Sequence, residues 1–116
     1  MYSRKNSLKT RYNFRKALKY GNTFYTNHLI IKYIKGDEKR FGIITSSKFH
    51  KSTVVQNKAR RIIAEVLRTK IDKIPEGYHY VLIPKKVFIH KDGKIKPDVK
   101  EISTEIDTFL SEMALT

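Results

Sequence analysis

Residues 53–70 read TVVQNKARRIIAEVLRTK. Val55, Ala59, Ile62, Ile63, Val66 and Leu67 recur at the three- and four-residue steps that line one face of a helix. Thr53-x-x-Gln56 has the form of a capping box. The opposite stripe is Asn57, Arg61, Ala64 and Arg68, flanked by Lys58 and Arg60. The spacing predicts an amphipathic helix over 54–70 whose outer face is basic in its N-terminal half.

On both sides of this helix the period shifts toward that of strands. Arg40 to Ser46, with Phe41-Gly42-Ile43-Ile44 at its centre, reads as a strand. Gly36-Asp37-Glu38-Lys39 is a polar turn before it. Thr23 to Ile34, rich in Thr, Tyr, Phe and Ile, reads as one strand antiparallel to it. After the helix, Pro75-Glu76-Gly77 is a turn and Tyr78 to Ile83 an apolar strand ending at Pro84. Asp92-Gly93, between Val87-Phe88-Ile89 and Ile95, is a hairpin signal.

The two ends read as helices. Thr10 is the expected N-cap of a helix over 11–20, with Phe14, Ala17 and Leu18 on one face and Gly21 as the closing C′ residue. Pro97-Asp98 opens the last helix, capped by Asp98-x-x-Glu101, with Ile102, Ile106, Phe109, Leu110 and Met113 inward. Residues 1–9 read as a basic tail. The order is α-β-β-α-β-(hairpin)-α, an α+β two-layer sandwich of a central mixed sheet with helices, in a single domain spanning 1–116.

Charge narrows the function. The 116 residues carry a formal charge of +14. Residues 1–61 hold 16 basic and 2 acidic side chains, whereas residues 62–116 hold 9 of each. Such one-sided repulsion is relieved by a polyanion, and nucleic acid is the first expectation. No apolar run is long enough to span a membrane, and no long amphipathic basic helix with a Trp or Leu anchor face is present, so no membrane partner is expected. There is no cysteine, which excludes thiol nucleophiles and cysteine-based zinc sites.

Catalysis by the polypeptide finds little support. In the basic half Asp37 and Glu38 are the only carboxylates, adjacent in a turn, and Glu65 has no acidic helical neighbour, so no Mg²⁺ cluster is expected on the protein. His28, His50, His79 and His90 lie on different elements, and no phosphate loop or nucleophile elbow occurs. A binding face is better supported. Lys58, Arg60, Arg61 and Arg68 present cations along one helix, and guanidinium donors match phosphate oxygens in pairs. Asn57 sits in the first turn, where free backbone N–H groups also favour an anion. Tyr12, Phe14, Tyr20, Phe24, Tyr25 and Tyr33 all fall in the basic N-terminal third, and exposed rings beside cations stack unpaired bases.

Arg40-Phe41-Gly42-Ile43, a lysine-bearing loop, and then Asn57-Lys58-Ala59-Arg60-Arg61 with Glu65 resemble the bacterial ribonuclease P protein component. Phe14 ahead of Gly21, and Gly77-Tyr78-His79-Tyr80-Val81-Leu82-Ile83 after the helix, extend the resemblance over about residues 8–85. The chain departs from the family pattern at Gln56 and Ala64, where arginine is common, at Ser47, where a lysine is common, and at His79, where aspartate is frequent. The resemblance implies a left-handed βαβ crossover shared with a ribosomal-protein domain. It also implies a catalytic RNA partner that removes the 5′ leader of precursor tRNA with Mg²⁺. Asn57, Lys58, Arg60, Arg61 and Arg68 would then contact that RNA. Phe14, Arg11, Arg15 and Lys48, with Lys32 or Tyr33, would hold the leader in a cleft between the sheet and the N-terminal helix. A cytoplasmic protein monomer within a ribonucleoprotein is expected, with no small-molecule substrate. The competing readings are a ribosomal-type structural RNA-binding protein, a small ribonuclease and a DNA-binding protein. Residues 86–96 suggest no function.

Overall fold

A computed structural model describes residues 7–8, 10–45, 49–90 and 92–114. The elements run α1 (Arg11–Tyr20), β1 (Asn22–Tyr25), β2 (Leu29–Lys35), β3 (Arg40–Ile43), α2 (Thr53–Lys70), β4 (Tyr78–Pro84), a 3₁₀ turn (Lys86–Phe88) and α3 (Val99–Ala114). The sheet order is β1-β2-β4-β3, with β1–β2 and β2–β4 antiparallel and β3–β4 parallel. This is the α+β mixed sheet the sequence predicts.

One strand expectation is corrected, and another holds in direction but not as a pairing. The stretch read as one strand is a hairpin. Thr26 accepts the Leu29 backbone N–H on its hydroxyl at 2.9 Å, and its own N–H reaches the Leu29 carbonyl at 2.9 Å. That local turn outcompetes continued extension. In addition, β3 runs antiparallel to β2 but does not pair with it, because β4 lies between them. β4 is the strand buried on both faces: Tyr80, Val81 and Leu82 are each almost fully covered. A strand apolar on both sides belongs at the centre of a sheet.

Alternation then divides the sheet. Leu29, Ile31, Phe41, Tyr80 and Leu82 face Ile63, Val66 and Leu67 of α2 and Ile102, Ile106 and Phe109 of α3, forming the main core. Val81, Ile34, Ile44 and Ile83 face Leu8, Phe14, Ala17 and Leu18 from the α1 side. Leu8 is buried and the Ser7 backbone bridges Phe41, so residues 7 and 8 belong to the fold rather than to a tail.

The helix ends also refine the sequence reading. Thr10 caps α1 through the Asn13 N–H (3.1 Å), and Asp98 caps α3 through the Glu101 N–H (2.8 Å), both as expected. The cap of α2 is Ser52, not Thr53, and Gln56 donates instead to the His50 carbonyl at 2.7 Å. Gly21 is extended (φ −72°) rather than left-handed. Its requirement is space, since a Cβ there would lie 2.3 Å from the Ala17 carbonyl oxygen and 2.9 Å from that of Tyr33. The expected ribbon shrinks to one bridge, Ile89 to Ile95, closed by Gly93 at φ +88°.

Polar ties lock the layers. The buried Lys39 ammonium caps the end of α2 by donating to the Ile71 and Ile74 carbonyls. Glu105 on α3 accepts the His28 backbone N–H at 2.8 Å and meets His28 Nδ1 at 2.6 Å. Burial pushes the Glu105 carboxyl up, but the Thr26 hydroxyl and the His28 contacts outweigh it and hold the pKa below the ordinary 4.5. A depressed folded pKa means that this contribution is complete above the unfolded value and is lost as pH falls through the folded one. Glu105→Gln is therefore expected to melt lower at neutral pH and to show a shallower loss below about pH 4.5, by thermal melts across that range. A deficit constant at every pH would assign the contact to packing alone.

Candidate nucleic-acid interface

The outer face of α2 carries the cations the sequence places there. Arg60, Arg61 and Lys58 are exposed and Asn57 is half-buried. Arg60 is oriented: it donates to the Thr45 hydroxyl at 2.6 Å and to Asn57 Oδ1 at 3.5 Å. Neither Arg61 nor Lys58 has an anionic partner among the described residues. Arg68 is in a different state. Its guanidinium pairs with Glu65, the Nε contact being 3.2 Å, and the pairing lowers the Glu65 carboxyl pKa. The free cationic charge therefore lies in the N-terminal half of the helix. Ala64, read as part of the exposed stripe, is buried at the edge of the core face. Gln56 holds the loop before α2 through His50.

A groove of about 490 Å³ opens between α1 and the sheet. Leu18, Ile30, Ile44, Phe49 and Ile83 line it, with Lys85 and Lys86 at one end. Phe14 stands against the sheet at Gly42, where an added Cβ would come within 2.3 Å of its ring. Arg15 is three residues before Leu18 and Arg11 seven, so both project from the groove-side flank of the helix. Lys32 alternates onto the same sheet face as Ile30 and donates to the Thr23 hydroxyl at 3.0 Å. Tyr33 does not reach the groove. Its ring lies on the opposite face, 5.4 Å from Phe109 and 6.0 Å from Tyr78. Lys48 lies outside the described residues.

The sequence reading counts Tyr25 among the rings of the basic third without assigning it to the leader cleft, and it does not single out Lys85. Tyr25 pairs across the strands with Ile30, so it shares the groove face, and it is 66% exposed. The Lys85 ammonium donates to the Thr26 carbonyl at 2.7 Å and sits 5.5 Å from the Tyr25 ring centroid. Strand alternation counted from the Thr26–Asn27 turn was the available signal. The groove thus combines an apolar floor with cations at its rim, a combination chemically suited to unpaired bases and the phosphates that join them. Its Ile44 wall continues into Thr45, which holds Arg60, so the groove and the basic helix form one surface.

Three of the four histidines are engaged elsewhere. His28 meets Glu105, His79 Nε2 meets Asp37 Oδ1 at 2.8 Å beside Gly36, and His50 Nδ1 accepts the Ser52 N–H at 3.0 Å. The His79 contact draws the Asp37 carboxyl pKa below its ordinary value. Among the described residues no three His, Asp or Glu side chains gather where they could hold a metal ion.

The chain is similar to known proteins in sequence and in fold. The family model for Ribonuclease P matches residues 2–113. The ribonuclease P protein component of Clostridioides difficile is 38% identical over 104 residues, covering 87% of this chain and 89% of that protein. That of Clostridium botulinum is 33% identical over 116 residues, covering 97% of each. Among solved structures, the ribonuclease P protein from Thermotoga maritima superposes with a TM-score of 0.75 at 26% identity, covering 91% of this chain and 96% of that one. A Staphylococcus aureus relative at 18% identity shares the fold, with a TM-score of 0.77.

Proposed function

The chain belongs to the ribonuclease P protein component family, and on that premise we propose that it binds a catalytic RNA through α2 and the 5′ leader of precursor tRNA in the groove beside α1. Family membership puts it in tRNA processing and in a ribonucleoprotein. The observation that carries the finer reading is the continuity of an apolar, cation-rimmed groove with an exposed basic helix.

The division of labour follows from charge. Two RNAs must approach, and their phosphates repel one another. Lys58, Arg60 and Arg61 on α2 neutralise phosphates of the catalytic RNA and release its counterions. A leader varied in sequence is held by stacking and phosphate contacts rather than by base edges. Tyr25, Phe14 and the groove floor supply apolar contact, while Arg11, Arg15, Lys32 and Lys85 supply charge. Mg²⁺ bound to the RNA supplies the hydrolytic chemistry in this reading, and the protein acts as a monomer in the cytoplasm.

The test is cleavage of a precursor tRNA at low Mg²⁺ by a bacterial ribonuclease P RNA, with and without this protein. Mature 5′ ends that depend on both components are expected. Cleavage by the protein alone would move the chemistry into the polypeptide, and tight RNA binding without stimulation would make it a structural RNA-binding protein. Tyr25→Ala is expected to lower affinity for leader-bearing precursor by about 5- to 10-fold, the loss of one stacked base, while leaving leaderless tRNA unaffected. Its ring is exposed, so stability is expected to stay within about 0.5 kcal/mol. Equal loss for both substrates would remove the leader from the groove.

A further inference from the structure

The side of α1 turned away from the groove carries a second set of rings and cations. Tyr12 and Tyr20 are 70% and 68% exposed, more than any other large apolar side chain among the described residues. They stand two turns apart, about 12 Å along the axis. Arg15, Lys16 and Lys19 lie between them, and together the five enclose a hollow of about 230 Å³. The Lys19 ammonium sits 5.3 Å from the Tyr20 ring centroid. Neither α1 nor any residue before Asp37 is acidic.

These features favour one kind of occupant. Helix packing would call for aliphatic side chains here, and the inward face of α1 already supplies them in Ala17 and Leu18. A tyrosine ring offers a flat face for a base, and the cations between the rings suit the phosphates that join successive bases. Charge complementarity therefore selects single-stranded RNA. Position selects which strand. Arg15 belongs both to this hollow and to the flank next to Leu18, which lines the groove. A helix with its side chains is only about 10 Å across, so a strand leaving the groove over Arg15 reaches the far side within a few nucleotides.

We propose that the outer face of α1 binds the upstream nucleotides of a long 5′ leader, stacking them on Tyr12 and Tyr20 after the strand passes over Arg15. This extends the groove reading and rests on it. The face is a length sensor: a leader that ends inside the groove gains nothing from it.

The experiment measures the affinity of the reconstituted ribonucleoprotein for precursors whose leaders increase from zero to about twenty nucleotides. For the unaltered protein, affinity is expected to rise in two stages. Tyr12→Ala/Tyr20→Ala is expected to abolish the second stage, a loss of roughly 10-fold for the longest leaders, and to leave short-leader and leaderless substrates unchanged. Tyr12→Phe/Tyr20→Phe, which keeps the rings, is expected to retain it. Loss at every leader length would place the contact on the catalytic RNA or the tRNA body and overturn the proposal, as would no loss at any length. Tyr25→Ala separates the two readings. If it is silent while the double tyrosine variant still weakens long leaders, the groove assignment fails and the outer-face contact stands.

Discussion

Alanine at both Arg60 and Arg61 is expected to weaken binding of the catalytic RNA by roughly 10- to 100-fold near 0.15 M salt, the largest loss anticipated from any pair on this surface. Each arginine that neutralises a phosphate releases condensed counterions, so the slope of log K against log salt should fall by about two. The geometry makes the two residues unequal. Arg60 is held in place by Thr45 and Asn57, so in the proposed interface its guanidinium would meet RNA already oriented. Arg61 is unrestrained and exposed. Arg68 gives an internal control. It is paired with Glu65, and removing it also frees a carboxylate, so Arg68→Ala should change the slope less than either N-terminal arginine does. Titrations at several salt concentrations check both statements. An unchanged slope in the double variant would remove α2 from the RNA interface.

The second large effect concerns the groove. Gly42→Ala is expected to destabilise the protein by about 1–3 kcal/mol, because the new Cβ would lie 2.3 Å from the Phe14 ring. The ring and the first turns of α1 must move away from β3, which also displaces Arg11 and Arg15 from the groove edge. Stability and leader-dependent affinity should therefore fall together. The effect should be conditional on Phe14. In a Phe14→Ala background the same glycine substitution should cost much less, so the pair is expected to be clearly non-additive. Denaturant titration of the four proteins of that cycle checks this. Additive costs would mean that Gly42 serves the strand rather than the ring.

Much of this molecule was legible in the chain. Helix boundaries and caps depend on residues a few positions apart, and Thr10 and Asp98 perform the roles their spacing predicted. The inward faces of α2 and α3 followed from periodicity, and the basic N-terminal half of the outer face of α2 followed from Lys58, Arg60 and Arg61, with no acid in the helix before Glu65. The family resemblance rested on the same local strings. At the start of α2 the cap is Ser52 rather than Thr53, because two adjacent hydroxyl residues offer equivalent caps and only the loop before the helix chooses between them.

What the sequence by itself determined is thus the three helices, the caps of α1 and α3 and the side of the chain that carries the charge, because local hydrogen bonding and periodicity decide these. Tertiary structure alone decided how the elements meet. The insertion of β4 between β2 and β3, the turning of Tyr33 into the core and the placing of Tyr25 beside Lys85 all depend on partners distant in the chain. A strand can pair on either edge, and a one-residue change of phase moves each side chain to the other face. Only closure of the whole sheet under its helices, with the most apolar strand at the centre, selects one of those arrangements, and the groove exists only after that choice.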